Sequence, residues 1–439
     1  MDPITIALLG MLGMFVLIAL HVPIGVAIGA AGVVGFGILG GWGPAFSLIG
    51  TEYITVFTNA ELAVIPLFLL MGSFAGVSGL SSDIYKLAYA FVGHRRGGLA
   101  LATIGGCAGF GAVCGSSLAT AATMGRVALP EMLGRGYSQT LATGSIAAGG
   151  TLGMLIPPSV IMVIYAFLTE QFVITLFVAA LIPGLIAVAF HFVTVAILVR
   201  MNPEAGPAGG RTDWPARRRI VFQSWGVIVL LLAVIGGIYG GVFTVNEAAS
   251  LGAGLAVLFT LMRGKLTWKT IFQVLRETAT NTAMIYLIIG GASIFSSFVT
   301  LSKMPDALVD LISGLGVAPL VVILILFVIY LILGAVFDTV AAMVITLPFV
   351  LPLVIELGYN PIWWGVVLVM AIEVGMITPP IGMNVFVLFG VAENISLNTI
   401  FRGIFPFLYA DLVRILLIIL FPALALWLPK FLGYNLSLY

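Results

Sequence analysis

Apolar residues run through this chain in long blocks, separated by short clusters of glycine, proline and polar positions. A block of ~20 apolar residues is long enough for a helix to cross the hydrocarbon core of a bilayer. On that measure, full spans are expected near residues 5–20, 23–39, 62–77, 140–168, 174–199, 224–243, 248–262, 282–299, 361–389 and 404–428. Two apolar stretches, 98–133 and 319–355, are too long for one crossing and are interrupted. The first breaks at GAVCGSS, residues 111–117, and the second at GAVFDT, residues 334–339. Each pattern suits a re-entrant hairpin that enters the membrane, turns at a polar tip and leaves on the same side. Non-helical backbone is tolerated at that depth only where protein or a water-filled cavity surrounds it. Short amphipathic stretches at 85–89 and 268–272 read as arms lying in the interface.

Composition strengthens this reading. Of the 439 residues, 61% are hydrophobic and 8% are charged. A soluble domain carries roughly 25% charged residues, so the solvent of this chain is lipid. The apolar block from Thr5 to Leu20 has no basic flank and no small-residue cleavage site, and reads as a retained span rather than a signal peptide. A net charge of +1 gives no reason to expect nucleic acid. The two cysteines, Cys107 and Cys114, fit small packing residues better than a disulfide or metal site. Three histidines with no HExxH pattern argue against an intramembrane enzyme. A passive channel stays open as an alternative, distinguished by indifference to an ion gradient.

Lysine and arginine favour the cytoplasmic side of short loops. Arg211, Arg217, Arg218 and Arg219 therefore place residues 200–219 in the cytoplasm. Arg263, Lys265, Lys269, Arg95, Arg96 and Arg135 then fall on the same side. Residues 301–313, with Lys303 against Asp306 and Asp310, fall on the other. Both termini lie outside in this scheme. The first hairpin enters from the cytoplasm and the second from the periplasm.

The chain also matches itself at a fixed offset. Pro130, Gly136, Tyr137, Gly153, Met154, Pro157 and Pro158 recur as Pro352, Gly358, Tyr359, Gly375, Met376, Pro379 and Pro380, each 222 positions later (380 − 158 = 222). Apolar identities arise by chance in such a chain, but paired prolines and a gapless Gly-Met-x-x-Pro-Pro are a stronger coincidence. With opposite orientations the copies form an inverted repeat, an architecture that places transporter sites at the midplane. A period of half the chain excludes a short-repeat solenoid.

Proline removes a backbone donor and clashes with the preceding turn. Two in succession after a glycine unwind the helix, or in the plainer case only kink it. The freed carbonyls of Gly153 and Ile156, and of Gly375 and Thr378, could then face a cation, as in broken transporter helices. At the same offset the tip residues Ser116 and Ser117 match Asp338 and Thr339. Asp338 sits in an apolar run, where an ionisable group is costly and a functional candidate; a tip satisfied by backbone donors is the alternative. Two cation sites are expected, one from Ser116, Gly153 and Ile156, the other from Asp338, Gly375 and Thr378. An anionic substrate is expected between the tips, near Ser117, Thr339, Thr378 and Asn384, where helix amino ends favour negative charge. Arg126, about three turns beyond the first tip, either reaches a substrate carboxylate or snorkels to the surface. Glu373 reads as a supporting group or a proton site, and His191 as a packed, hydrogen-bonded histidine. Asp411 and Arg414 share a helix face and read as a structural ion pair.

These motifs resemble one family throughout the chain: the large membrane (M) subunit of tripartite ATP-independent periplasmic (TRAP) transporters. The resemblance is carried by CGSS at 114–117, LPEM…GY within 129–137, GMLIPPS at 153–159 and TPPIGMNVFV at 378–387. It implies sodium contacts at Ser116, Gly153, Ile156 and Pro158, and at Asp338, Gly375 and Thr378. It implies an all-α inner-membrane bundle of the elevator type, in which a hairpin-bearing domain slides against a scaffold. It further implies uptake of a small organic anion such as a C4-dicarboxylate, with Na+ as coupling ion and no other cofactor. A periplasmic substrate-binding protein and a small four-helix membrane subunit (Q) are the implied partners. No segment here resembles the small subunit, which is therefore expected as a separate chain. The corresponding division is scaffold and arm at 1–97, first hairpin and broken helix at 98–170, scaffold and second arms at 171–319, second hairpin and broken helix at 320–393, and a C-terminal scaffold helix at 394–439. A stand-alone sodium–dicarboxylate symporter of related architecture is the alternative.

Overall fold

A computed structural model describes residues 2–392, 395–434 and 436. It is helical, with no strand among the described residues. The first half contains α1 (Pro3–Ala19), α2 (Ile24–Gly40), α3 (Trp42–Thr58), α4 (Val64–Ser78) and α5 (Leu80–Val92). It continues through α6 (Gly98–Cys114), α7 (Ser117–Gly134), α8 (Gln139–Leu155), α9 (Val160–Leu168) and α10 (Val173–Met201). A linking helix, α11 (Trp214–Gln223), precedes α12 (Trp225–Leu231), which runs through a π turn into α13 (Gly237–Tyr239). Then come α14 (Val245–Met262), α15 (Trp268–Leu301), α16 (Met304–Gly314), α17 (Pro319–Val336) and α18 (Thr339–Glu356). The chain ends in α19 (Pro361–Gly375), α20 (Met383–Val391), α21 (Leu397–Leu420) and α22 (Ala423–Phe431).

The repeat runs through the whole fold, well beyond the stretch legible in the sequence. Shifted by 222, α7 (117–134) becomes 339–356, the bounds of α18. The same shift carries α2 onto α14, α6 onto α17, α9 onto α20 and α10 onto α21 within a few residues. One element differs. α3 and α4 are separate helices, whereas their counterparts are fused into α15, a single helix of 34 residues about 50 Å long.

Among the described residues, seven segments are long and apolar enough to cross a membrane, or up to nine if two bent pairs each count as one span. Several expectations need adjustment. The stretch at 268–272 is not a separate arm; it forms the first turns of α15. The counterpart of α5, which bends 70° away from α4, is α16, another amphipathic helix. The block 404–428 divides at Phe421 and Pro422 into α21 and α22. α3 has no counterpart among the expected spans, because Gly43, Pro44, Glu52 and Tyr53 interrupt its apolar pattern.

In lipid, helices associate through close packing rather than through the hydrophobic effect, and small residues permit it. α2 packs along α15, and its repeat mate α14 packs along α4. A Cβ added at Gly25 of α2 would lie 2.8 Å from the Ile288 nitrogen and the Leu287 carbonyl. No side chain fits there. α6 and α7 flank α8, and α17 flanks α19. Each hairpin also grips the broken helix of the other half: α7 packs on α20, with Gly125 facing Leu388, and α18 packs on α9.

The sequence-based division assigned α10 and α21 to the scaffold. In the structure α21 lies along α8, where Gly144 and Gly403 meet backbone to backbone, and α10 packs on α8, α19 and α21. Both helices therefore belong by packing with the hairpins. Small-residue periodicity reveals that a face is close-packed; it does not reveal which helix fills it.

Candidate ion and substrate site

The two Pro-Pro pairs fix where the helices stop. A helical carbonyl at position i accepts from the N–H at i+4, and prolines at 157, 158, 379 and 380 have none. Gly153, Met154, Gly375 and Met376 thus lose their helical donors. α8 stops at Leu155 and α19 at Gly375, and the chain resumes as α9 or α20 after a short non-helical segment. Both Pro-Pro bonds are cis, at the same repeat offset.

The first tip nests against the first break. Ser116 caps α7, its Oγ accepting from the Ala119 N–H at 3.4 Å. Its carbonyl accepts from the Thr120 hydroxyl at 2.7 Å. A Cβ added at Gly153 would lie 2.6 Å from Thr120 Oγ1 and 2.9 Å from the Ser116 carbonyl oxygen. One at Gly115, where φ is +61°, would lie 3.1 Å from the Pro158 carbonyl oxygen. The structure therefore brings Ser116, Gly153 and Pro158 together around several oxygens. Ile156 continues the same segment as the C-cap of α8, packed against Gly184. Thr120 was not anticipated, although its place four residues after Ser116 on the cap turn is a usable signal.

The second tip carries a carboxylate in place of the serine. Asp338 caps α18, its Oδ2 accepting from the Val340 N–H at 3.2 Å. A Cβ added at Gly375 would lie 2.7 Å from the Gly334 Cα, so α17 and α19 touch backbone to backbone beside the tip. The Gly382 N–H donates to the Ala335 carbonyl at 3.3 Å, stitching the second break to the second hairpin. Thr378 turns its hydroxyl back to donate to the Val374 carbonyl at 2.6 Å. The breaks differ in access: Pro157 to Val160 are buried, whereas Pro379, Pro380 and Ile381 are exposed.

Between the tips lies a residue absent from the expected set. The Met376 sulfur accepts from the Thr339 hydroxyl at 2.9 Å and from the Ser117 hydroxyl at 3.7 Å. These hydroxyls come from tips 222 positions apart (339 − 117), so both halves converge on one thioether. The Asn384 N–H donates to the Met376 carbonyl at 3.1 Å. Its side chain is fully buried, yet neither Oδ1 nor Nδ2 has a partner. Buried amides are ordinarily satisfied, and an amide that can both donate and accept suits a polar ligand. Arg126 is not brought to this point. It is exposed and lies nine residues along α7 from Ser117, about 14 Å up the helix axis.

The repeated helical fold with its two broken helices is that of a multi-pass membrane protein. The structure superposes on that of the Alcanivorax borkumensis YdaH transporter with a TM-score of 0.59, covering 91% of this chain and 90% of the other at 15% identity. Residues 11–424 match the family described as tripartite ATP-independent periplasmic transporter, DctM component, and the chain belongs to that family. It is 36% identical to the C4-dicarboxylate TRAP transporter large permease protein DctM of Pseudomonas aeruginosa, over 87% of this chain and 90% of that one. It is 29% identical to the isethionate TRAP transporter permease protein DctMQ of Oleidesulfovibrio alaskensis, over 97% of this chain and 66% of that longer one. These relatives are permeases rather than enzymes, and the chain is a large permease of the inner membrane.

Proposed function

We propose that this permease drives sodium-coupled uptake of a small organic anion. Two sodium ions sit at the paired tips, one among Ser116, Gly153, Ile156 and Pro158, the other among Asp338, Gly375 and Thr378. The substrate sits between them, against Ser117, Thr339 and Asn384, and Arg126 takes no part. The reading rests chiefly on one observation: the two tips, in register across the repeat, meet at Met376 beside a buried amide with no partner. The relatives named for C4-dicarboxylate and isethionate both concern small anions, and a C4-dicarboxylate is the first substrate to test.

Movement follows the packing. α6–α10 and α17–α22 carry the site as one body, and α1–α5 with α12–α16 form the scaffold against which it slides as an elevator. A periplasmic binding protein delivers the substrate, and a separate small membrane subunit braces the scaffold. The family description as tripartite supports both partners.

The test is uptake into proteoliposomes of the permease with its small subunit, with and without a sodium gradient, and with and without the binding protein. Uptake only when all are present supports the proposal. Sodium-driven uptake without the binding protein points to the stand-alone symporter, and gradient-independent flux points to a channel.

A further inference from the structure

The amphipathic helix of the second half covers its hairpin less closely than its mate covers the first. α5 packs along α6, whereas α16 packs chiefly on α18 and leaves a cleft towards α17 and α1. The cleft holds a cavity of about 280 Å3. Met304 and Leu308 of α16 and Met11 of α1 form one wall, and Phe337 at the second tip belongs to the other. That other wall is mainly one face of α18 from Ala342 to Val350, about 12 Å along the helix axis. Thr346 also lines it, with its hydroxyl tied to Tyr330 at 2.6 Å. The walls are therefore apolar, and a cavity of this kind stays dry.

Lys303 stands beside this cleft, next to Met304 in the chain and at the N-cap of α16. Its φ is +56°, in the left-handed region where a side chain crowds the following carbonyl oxygen. The equivalent junction in the first half, between α4 and α5, uses Gly79 at φ +89°. The second half thus accepts strain that glycine would avoid. The lysine it keeps is exposed and forms no ion pair among the described residues. Asp306 and Asp310 follow on the exposed face of α16. By charge, this rim suits a phosphate beside an amine better than a headgroup that is negative overall.

We propose that the cleft binds one zwitterionic phospholipid, with its phosphate on Lys303 and an acyl chain laid along α18 towards Phe337. Size selects the chain. A helix of the same length and ~10 Å across would fill about 900 Å3, roughly three times the 280 Å3 present. A hydrocarbon chain one carbon wide fits. Met11 and Met304 are flexible thioethers that adapt to an irregular chain. The bilayer around the protein supplies the ligand. α1 and α16 lie on one side of the chain and the second hairpin on the other, so it occupies the seam of the sliding motion proposed above. A fluid chain re-forms along a moving face where interlocked side chains would jam. Binding itself does not depend on that motion.

Native mass spectrometry of the delipidated full chain tests this without any uptake measurement. The chain is titrated with phosphatidylethanolamine or with phosphatidylglycerol of the same chain length. One phosphatidylethanolamine is expected to bind in preference to phosphatidylglycerol. Lys303→Gly should keep or raise the melting temperature, since it relieves the left-handed lysine, yet weaken that binding about fivefold. Leu308→Trp should block it by filling the cleft. Phosphatidylethanolamine with a photoactivatable group in mid-chain should label Met304 or residues 342–350 of the unsubstituted protein, whatever the variants do. Equal affinity in the wild type and Lys303→Gly, or tighter binding of phosphatidylglycerol, overturns the headgroup assignment. Absence of label from both α16 and α18, or unchanged binding in folded Leu308→Trp, overturns the site.

Discussion

Gly153 offers the sharpest test of the first half-site, because a single carbon atom decides it. In Gly153→Ala the added Cβ would lie 2.6 Å from Thr120 Oγ1 and 2.9 Å from the Ser116 carbonyl oxygen, against 3.4 Å for ordinary contact. Relief needs displacements of 0.8 Å (3.4 − 2.6) and 0.5 Å (3.4 − 2.9). Those atoms are tied to each other by the Thr120 to Ser116 hydrogen bond, so the tip must move as a unit. Overpacking of this kind costs ~1–3 kcal/mol. If that cost falls on the bound state, sodium affinity drops by about 5- to 150-fold at 1.4 kcal/mol per tenfold. The assay is uptake into proteoliposomes against external sodium at saturating substrate. Half-saturation is expected to rise within that range, with maximal uptake restored at high sodium. Gly375→Ala should act in the same way, since its Cβ would meet Gly334 at 2.7 Å. A wild-type sodium curve from properly folded Gly153→Ala would refute the placement of a cation between tip and break.

Other expectations follow from the same geometry. Asp338→Ala should reduce sodium-driven uptake to the background of empty liposomes while the melting temperature stays near wild type; unchanged sodium dependence would sink the second half-site. Met376→Leu conserves volume but leaves the Thr339 hydroxyl without its acceptor, a cost of about 1 kcal/mol, so half-saturating substrate should rise about fivefold; no change would remove Met376 from the site. Arg126→Gln touches an exposed side chain, where substitutions usually stay within ~0.5 kcal/mol, so half-saturating substrate should move by no more than about twofold. Loss of substrate binding in that variant would restore Arg126 as a ligand.

The signals that could be read from the chain were those that break a helix or repeat at a distance. Gly-Met-x-x-Pro-Pro marks a stop in any context, because proline lacks its donor wherever it sits. The 222-residue offset needed no knowledge of packing, and it extended to nearly every helix. Partner choice was harder. His191 and Asp411 lie 220 residues apart, and no local pattern announces their contact. Met376 belongs to the Gly-Met-x-x-Pro-Pro motif, but a thioether among apolar residues looks like filler until two hydroxyls point at it. α3 was hidden by its own polar positions. The fusion of α15 could not be inferred by symmetry, because the first copy of that element is broken.

The grip of α7 on α20 carries a consequence for biogenesis. Gly125 faces Leu388, and 263 residues of chain separate them (388 − 125). At 5–20 residues per second, the ribosome takes ~13–50 s to deliver the second partner after the first has emerged. Throughout that interval the face of α7 that carries Gly125 lacks its partner α20, while the tip already has the first break against it. Its early companions, α5 and α8, can cover only the other sides. The first hairpin can therefore assemble with its own break early, but the contact that joins it to the second half forms only when residues 383–391 arrive.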